Sequence, residues 1–193
     1  MPLNLPTLLT WTRVLAIPLL IGVFYLPIGR EAQNVSATVL FVAAALTDWL
    51  DGWLARRLGQ TSAFGAFLDP VADKLIVCVA LVMLVALGRL DAVVAVIIIG
   101  RELTISALRE WMAQMGAHAS VAVHSIGKLK TTAQLVAIPM LLYDERIDGL
   151  FHTRLPGTWL IWVAAVLTVW SMLYYLRRAW PALRDGGRHP SQS

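Results

Sequence analysis

Long apolar segments, separated by short polar ones, follow one another along almost the whole 193-residue chain. A helix that crosses a bilayer needs about 20 mostly apolar residues, and six segments of roughly that length can be marked out. The predicted helices cover residues 8–28, 33–57, 70–88, 91–113, 126–143 and 157–177. The pattern therefore predicts an all-α integral membrane protein with six transmembrane helices.

The two ends of the chain depart from this pattern. The start, MPLNLPTLL, is amphipathic and interrupted by prolines, so we expect a short segment at the membrane interface. The apolar run after it has no A-x-A-like cleavage site, so we expect the first helix to be retained. The polar end, RDGGRHPSQS, is typical of a disordered segment. We therefore predict one membrane domain over residues 1–180 and a disordered cytoplasmic tail over 181–193.

Composition supports the membrane interpretation. Hydrophobic residues make up 58% of the chain and charged residues 15%, against about 45–50% and about 25% in soluble domains. The formal charge is +4, but basic and aromatic residues do not interleave as they do in proteins that bind nucleic acid. We expect the basic excess to set membrane topology and to contact anionic lipid, with no nucleic-acid partner.

The distribution of basic residues predicts which side the termini face. Six spans place both termini on the same side of the membrane. Most Lys and Arg residues fall in the loops on that side, and the loops of the other side carry only Arg30, Arg89, Arg146 and Arg154. By the positive-inside rule, the termini are cytoplasmic.

Four aspartates interrupt the apolar pattern between residues 46 and 74. Asp48 and Asp51 are three residues apart near the end of predicted helix two, so they share one face of that helix. Asp69 and Asp73 are four apart at the start of predicted helix three, where Asp69 suits the N-cap and Pro70 the first turn. The connection between the two helices is short, so we expect the four carboxylates to converge near the cytoplasmic face.

Such a cluster of carboxylates predicts a site for hard metal ions. Oxygen ligands without His or Cys suit Mg²⁺, Mn²⁺ or Ca²⁺, and four of them could hold the pair of divalent ions that supports phosphoryl displacement. The simpler alternative is a turn acid, an N-cap and ion pairs with Arg56, Arg57 and Lys74. That alternative explains each acid alone, but it leaves the convergence of all four on two faces without a reason.

The stretch from Asp48 to Asp73 reads D-x2-D-G-x2-A-R-x8-G-x3-D-x3-D. It resembles the signature of the CDP-alcohol phosphotransferases at every fixed position and spacing. The segments NLPTLLTWTR, RELTISALREWMA and SIGKLKTTAQ are also similar to that family, and the resemblance covers roughly the first 140 residues. One departure is Thr7, which stands where many members of the family have Asn.

The resemblance implies a six-helix membrane enzyme, usually a homodimer, that uses two divalent cations, commonly Mg²⁺ or Mn²⁺. The implied activity is transfer of the phosphatidyl group of CDP-diacylglycerol to glycerol 3-phosphate in phospholipid (phosphatidylglycerol and cardiolipin) biosynthesis, with release of CMP. The implied location is the bacterial inner (cytoplasmic) membrane, multi-pass, with the active site facing the cytoplasm. The implied metal ligands are Asp48, Asp51, Asp69 and Asp73, and Asp73 is also the implied general base. The implied binding residues for CDP-diacylglycerol are Gly52, Ala55, Arg56 and Gly65.

A phosphate-bearing acceptor needs basic groups close to the metals but not bound to them. The candidates for binding glycerol 3-phosphate are Arg101, Arg109, Lys128, Lys130 and Thr7. Arg101 lies deep in an apolar segment, where a charge is costly and usually functional; the alternative is an ion pair with Glu102 of a neighbouring helix. Lys128 and Lys130 could equally be topology determinants.

Three other functions are compatible with the sequence. An enzyme of the same family could use another alcohol, such as inositol phosphate or serine. A divalent-cation transporter could use the four acids as a transport site, although such a site is expected at the bilayer midplane and on several helices. A non-catalytic membrane scaffold is the third, and it leaves the aspartate signature unexplained.

Overall fold

Six helices dominate the described part of the chain in the computed structural model. The structure describes the backbone of residues 5–58, 63–114, 125–147 and 151–185, and within them the side chains of 11–47, 68–108, 110–111, 129–147, 151–174 and 176–177. The helices are α1 (Leu5–Val23), α2 (Arg30–Leu58), α3 (Ala63–Ala86), α4 (Ala92–Gln114), α5 (Ser125–Tyr143) and α6 (Arg154–Asp185). The all-α prediction is therefore confirmed.

Five of the six helices begin earlier than the sequence predicted, and the change matters most for α3 and α1. Helix α3 begins at Ala63, so Asp69 is not an N-cap and Pro70 lies inside the helix; both of those predictions were wrong. The apolar residues before Asp69 continue the helix, and an internal proline is tolerated where neighbouring helices satisfy the backbone. Helix α1 begins at Leu5, so most of the expected interfacial segment is continuous with it, and Pro6 occupies the first turn, where its missing N–H costs nothing.

The segment between α5 and α6 holds a small hairpin that the sequence did not predict. Strands β1 (Arg146–Ile147) and β2 (Phe151–His152) pair antiparallel, with Arg146 opposite His152. Asp144 precedes the hairpin with a φ of 46°, a left-handed conformation that suits an aspartate at a turn. Helix α6 then continues to Asp185, beyond the predicted domain boundary at 180, and residues 186–193 of the predicted tail lie outside the described residues.

The helices pack as a bundle around an apolar core. Helix α1 contacts α2 and α3, α5 contacts α2 and α6, and α4 contacts α3 and α6. The core is lined by fully or almost fully buried side chains: Leu20, Phe41, Leu81, Ile98, Leu141 and Ile161. Alanines lie between them, which allows close approach of the helices.

The outer surface of the bundle is rich in large apolar side chains. Those exposed include Leu15, Val82, Val96, Trp159 and Trp170. Among the described residues, one segment, Arg154–Tyr174, is both long and apolar enough to cross a membrane, and Trp11–Val23 is apolar but shorter. A large exposed apolar surface marks a face that contacts lipid or another protein.

Candidate active site

A cavity of about 220 Å³ lies where α1 to α5 meet, and we call it the central cavity. One part of its wall is apolar and includes Phe41 and Ile76. The other part carries the polar side chains Arg13, Asp73, Lys74, Glu102, Thr131 and Gln134. A largely apolar cavity with a few converging polar groups is the usual form of a small-molecule site.

Arg13 connects α1 to the two described aspartates of α3. Its side chain is only 1% exposed, its Nη1 donates to Asp73 Oδ1, and its Nη2 lies 3.5 Å from Asp69 Oδ1. A buried guanidinium is tolerated only when carboxylates or other acceptors compensate for the lost water. From the sequence, Arg13 counts only among the basic residues that the positive-inside rule assigns to the cytoplasmic side. Its position inside an apolar segment was the signal that could have marked it as part of the site.

Glu102 holds two of the predicted acceptor-binding residues. Its Oε1 lies 3.0 Å from Arg101 Nη1 and accepts a hydrogen bond from Lys130 Nζ. Arg101 Nη2 also donates to Ser171 Oγ at 3.1 Å, which ties α4 to α6. The ion pair considered as the alternative role of Arg101 is present, but Glu102 belongs to the same helix and not to a neighbouring one. Two cationic side chains therefore meet at one carboxylate, that of Glu102, which lines the central cavity.

Four of the predicted site residues have described side chains: Asp69, Asp73, Arg101 and Lys130. The structure places the first two around Arg13 and the last two around Glu102. The other predicted positions have side chains outside the described residues: Thr7, Asp48, Asp51, Gly52, Ala55, Arg56, Gly65, Arg109 and Lys128. Within the described side chains, no group of three or more His, Cys, Asp or Glu residues is arranged to hold a metal. The four-aspartate site therefore remains a prediction.

Another arginine, Arg89, follows the other end of α3 and has a largely buried side chain. Arg89 Nη1 donates to the carbonyl oxygens of Leu141 (3.3 Å) and Leu142 (2.7 Å), and its Nη2 donates to Asn34 Oδ1 at 2.7 Å. Its Nε lies 3.1 Å from Asp144 Oδ2. Burial lowers the pKa of Arg89, and the nearby carboxylate of Asp144 opposes that shift. We call this group the Arg89 cluster; none of its members lines the central cavity.

Known proteins are similar to this chain over nearly its full length. The family model described as CDP-alcohol phosphatidyltransferase matches residues 3–170. A protein of Salmonella choleraesuis (strain SC-B67) is 52% identical over 187 residues, which cover 96% of this chain and all of the relative. A protein of Escherichia coli (strain K12) is 50% identical over the same coverage. Both relatives carry the name CDP-diacylglycerol–glycerol-3-phosphate 3-phosphatidyltransferase.

Proposed function

Because this chain belongs to the CDP-alcohol phosphatidyltransferase family, we propose that it transfers the phosphatidyl group of CDP-diacylglycerol to glycerol 3-phosphate and releases CMP. The observation that carries the proposal is the name shared by full-length relatives about 50% identical to this chain, which states both substrates. The central cavity supports it, because a carboxylate of the family signature, Asp73, lines that cavity together with several other polar groups.

Asp73 is the proposed general base of the reaction. It would take the proton from the primary hydroxyl of glycerol 3-phosphate, and the hydroxyl oxygen would then bond to the β-phosphorus of CDP-diacylglycerol. The bond from that phosphorus to the CMP oxygen breaks, and CMP leaves with the electron pair. The hydrogen bond from Arg13 fixes the orientation of the Asp73 carboxylate. This supports the role of general base, because a base must lie within hydrogen-bond reach of the proton that it takes.

The proposed metal ligands are Asp48, Asp51, Asp69 and Asp73, holding two divalent cations, Mg²⁺ or Mn²⁺. The described half of this set fits, since Asp69 and Asp73 offer hard oxygen donors that reach the same guanidinium. Position 48 follows Ala44, which lines the central cavity, by one turn of α2. When bound, the cations would supply charge neutralisation for the diphosphate and for the departing CMP.

The two substrates are proposed to bind on different sides of these carboxylates. Gly52, Ala55, Arg56 and Gly65 would bind the cytidine and diphosphate part of the donor, as the family signature implies. The phosphate of the acceptor would be bound by Arg101, Lys130, Arg109, Lys128 and Thr7. The position of Arg101 and Lys130 beside Glu102, which lines the central cavity, supports this second assignment, because a phosphate needs cationic hydrogen-bond donors.

The proposed setting is a bacterial cytoplasmic membrane, with six spans, cytoplasmic termini and active site, and a homodimeric assembly. The apolar residues on the outside of the bundle support contact with lipid, and Arg154–Tyr174 is a described segment with the length and apolarity of a span. Asp73 and Lys74 of α3 and Glu102 of α4 line the central cavity, as expected for ionisable residues of membrane helices.

The experiment that tests the function is CMP release by the purified protein in detergent, with CDP-diacylglycerol and Mg²⁺. We expect release to require glycerol 3-phosphate. Release with inositol phosphate or serine, but not with glycerol 3-phosphate, would keep the family and refute the acceptor. If no alcohol supports release, metal uptake by proteoliposomes without any lipid substrate becomes the next test, because it would favour the transporter.

A further inference from the structure

Gln134 is a buried polar residue of the central cavity that has no role in the proposed reaction as described above. It belongs to α5, is only 5% exposed and lines the cavity. Within the part of the chain whose side chains are described, its Nε2 has no hydrogen-bond partner. Leaving a buried amide unsatisfied is unfavourable, and native proteins seldom do so without a reason such as a ligand.

The surroundings of Gln134 indicate what such a ligand would be. Asp73 from α3 and Glu102 from α4 line the same cavity. Lys130 precedes Gln134 by four residues in α5, so both lie on one face of that helix. The amide thus lies on a cavity that also has the proposed base, and on the same helix face as one of the proposed phosphate-binding cations.

The size of the cavity argues for a small ligand. At about 220 Å³ it is smaller than the roughly 300–1,000 Å³ typical of pockets for drug-sized molecules. An acyl chain or a cytidine nucleotide would not fit into it whole. A three-carbon phosphate ester with two hydroxyl groups is small enough for a cavity of this volume.

We propose that Gln134 determines acceptor specificity by donating a hydrogen bond from Nε2 to the secondary hydroxyl of glycerol 3-phosphate. This inference rests on the proposed function. Of the acceptor's three polar groups, the phosphate requires cations and the primary hydroxyl must reach Asp73. The secondary hydroxyl remains, and a neutral amide is the suitable partner for a neutral hydroxyl. Occupation of the cavity by the acceptor would satisfy the buried amide.

The test compares two acceptors in the purified, full-length enzyme: glycerol 3-phosphate and 3-hydroxypropyl phosphate, which lacks only the secondary hydroxyl. We expect the wild type to prefer glycerol 3-phosphate by at least about 10-fold in kcat/KM, since a site built for a hydroxyl discriminates against analogues without it. Gln134→Met keeps the side-chain length and removes the amide. We expect it to lose about 10-fold with glycerol 3-phosphate and less than about 2-fold with the analogue.

Gln33→Met is the matched control, because Gln33 Nε2 donates to the carbonyl oxygens of Phe24 and Leu26, away from the central cavity. We expect this variant to keep the wild-type preference between the two acceptors. An unchanged preference in Gln134→Met would overturn the inference, as would equal use of both acceptors by the wild type, a result that needs no variant. If the wild type fails to use glycerol 3-phosphate at all, the proposed function itself fails.

Discussion

Arg13, which is buried, and Arg89, which is largely buried, both lie beside α3, but their partners differ. Arg13 interacts with two carboxylates, Asp69 and Asp73, close to the start of α3 and lines the central cavity. Arg89 follows the end of α3 and donates to two backbone carbonyls and an asparagine, with one carboxylate beside it. At about 1.5 Å per residue, the two places are on the order of 25 Å apart along the helix.

The difference separates a group of charges proposed to react from one with a structural role. The donors of Arg89 are used to join α5 and α2 to the turn between α3 and α4, which is what a structural clamp requires. At Arg13 the partners are signature aspartates whose carboxylates are candidates for metal binding and proton transfer. A buried arginine is therefore best interpreted from its acceptors and from the presence of a cavity, and not from its burial alone.

Metal removal is expected to have the largest effect on activity. It should act through the carboxylates around Arg13 and leave the Arg89 cluster unchanged. With a chelator present, we predict that CMP release falls by at least about 10³-fold, because the diphosphate charge is no longer neutralised. Added Mg²⁺ or Mn²⁺ should restore it. Helical content, followed by circular dichroism, should remain. Full activity in the chelator would contradict the metal assignment.

Replacing the clamp arginine should affect stability and not catalysis. We predict that Arg89→Lys lowers the free energy of unfolding by about 2–3 kcal/mol, because a lysine cannot satisfy all four acceptor groups. The kcat of the folded fraction should stay within about 2-fold of wild type. Thermal unfolding and CMP release on the same preparation measure both. Arg146→Gln, an exposed arginine of β1, is the control and should change neither.

The same substitution at Arg13 should have the reverse effect and lower catalysis more than stability. We predict that Arg13→Lys lowers kcat about 10-fold, because the ammonium keeps the charge but loses the planar fork that orients two carboxylates. Comparison with Arg89→Lys makes the two effects separable. A loss of stability at Arg13 with unchanged kcat in the folded fraction would remove the functional distinction between the two arginines.

The smallest effect is expected from a packing change close to the Arg89 cluster. A Cβ at Gly157 of α6 would lie 3.1 Å from Met140 Cβ and 3.1 Å from Leu141 Cγ in α5. Because a Cβ cannot move without the backbone, we predict that Gly157→Ala destabilises the protein by about 1 kcal/mol despite its better helix propensity. Gly100→Ala, which would meet nothing within 4 Å, is the control in thermal unfolding. Equal or higher stability in Gly157→Ala would show that the contact can relax.

The sequence predicted the helices well because apolar length is a local property. It failed at Asp69 and Pro70, where a proline that usually marks a helix start lies inside α3. It also missed the hairpin at Arg146–Ile147, since strands of two residues have no measurable periodicity.

The site was predictable only in part, for a different reason. The aspartate signature lies within one stretch of the chain and could be recognised there. The contacts of Arg13 with α3, of Lys130 with Glu102, and the position of Gln134 on the cavity all depend on packing between helices distant in sequence. The local signal of such contacts is a lone charge in an apolar segment, which marked Arg101 and was present but unused at Arg13.

The most direct test of the central claim is CMP release by Asp73→Asn measured beside Asp91→Asn. Asp91 immediately precedes α4, where its Oδ1 accepts a hydrogen bond from the Val93 amide at 2.7 Å, and asparagine can replace it in that role. We predict that Asp73→Asn loses at least about 10³-fold in glycerol 3-phosphate-dependent release, because the amide neither accepts the proton nor binds a cation well. Asp91→Asn should retain activity within about 2-fold. Activity of Asp73→Asn equal to that of Asp91→Asn would contradict the assignment of the central cavity as the active site.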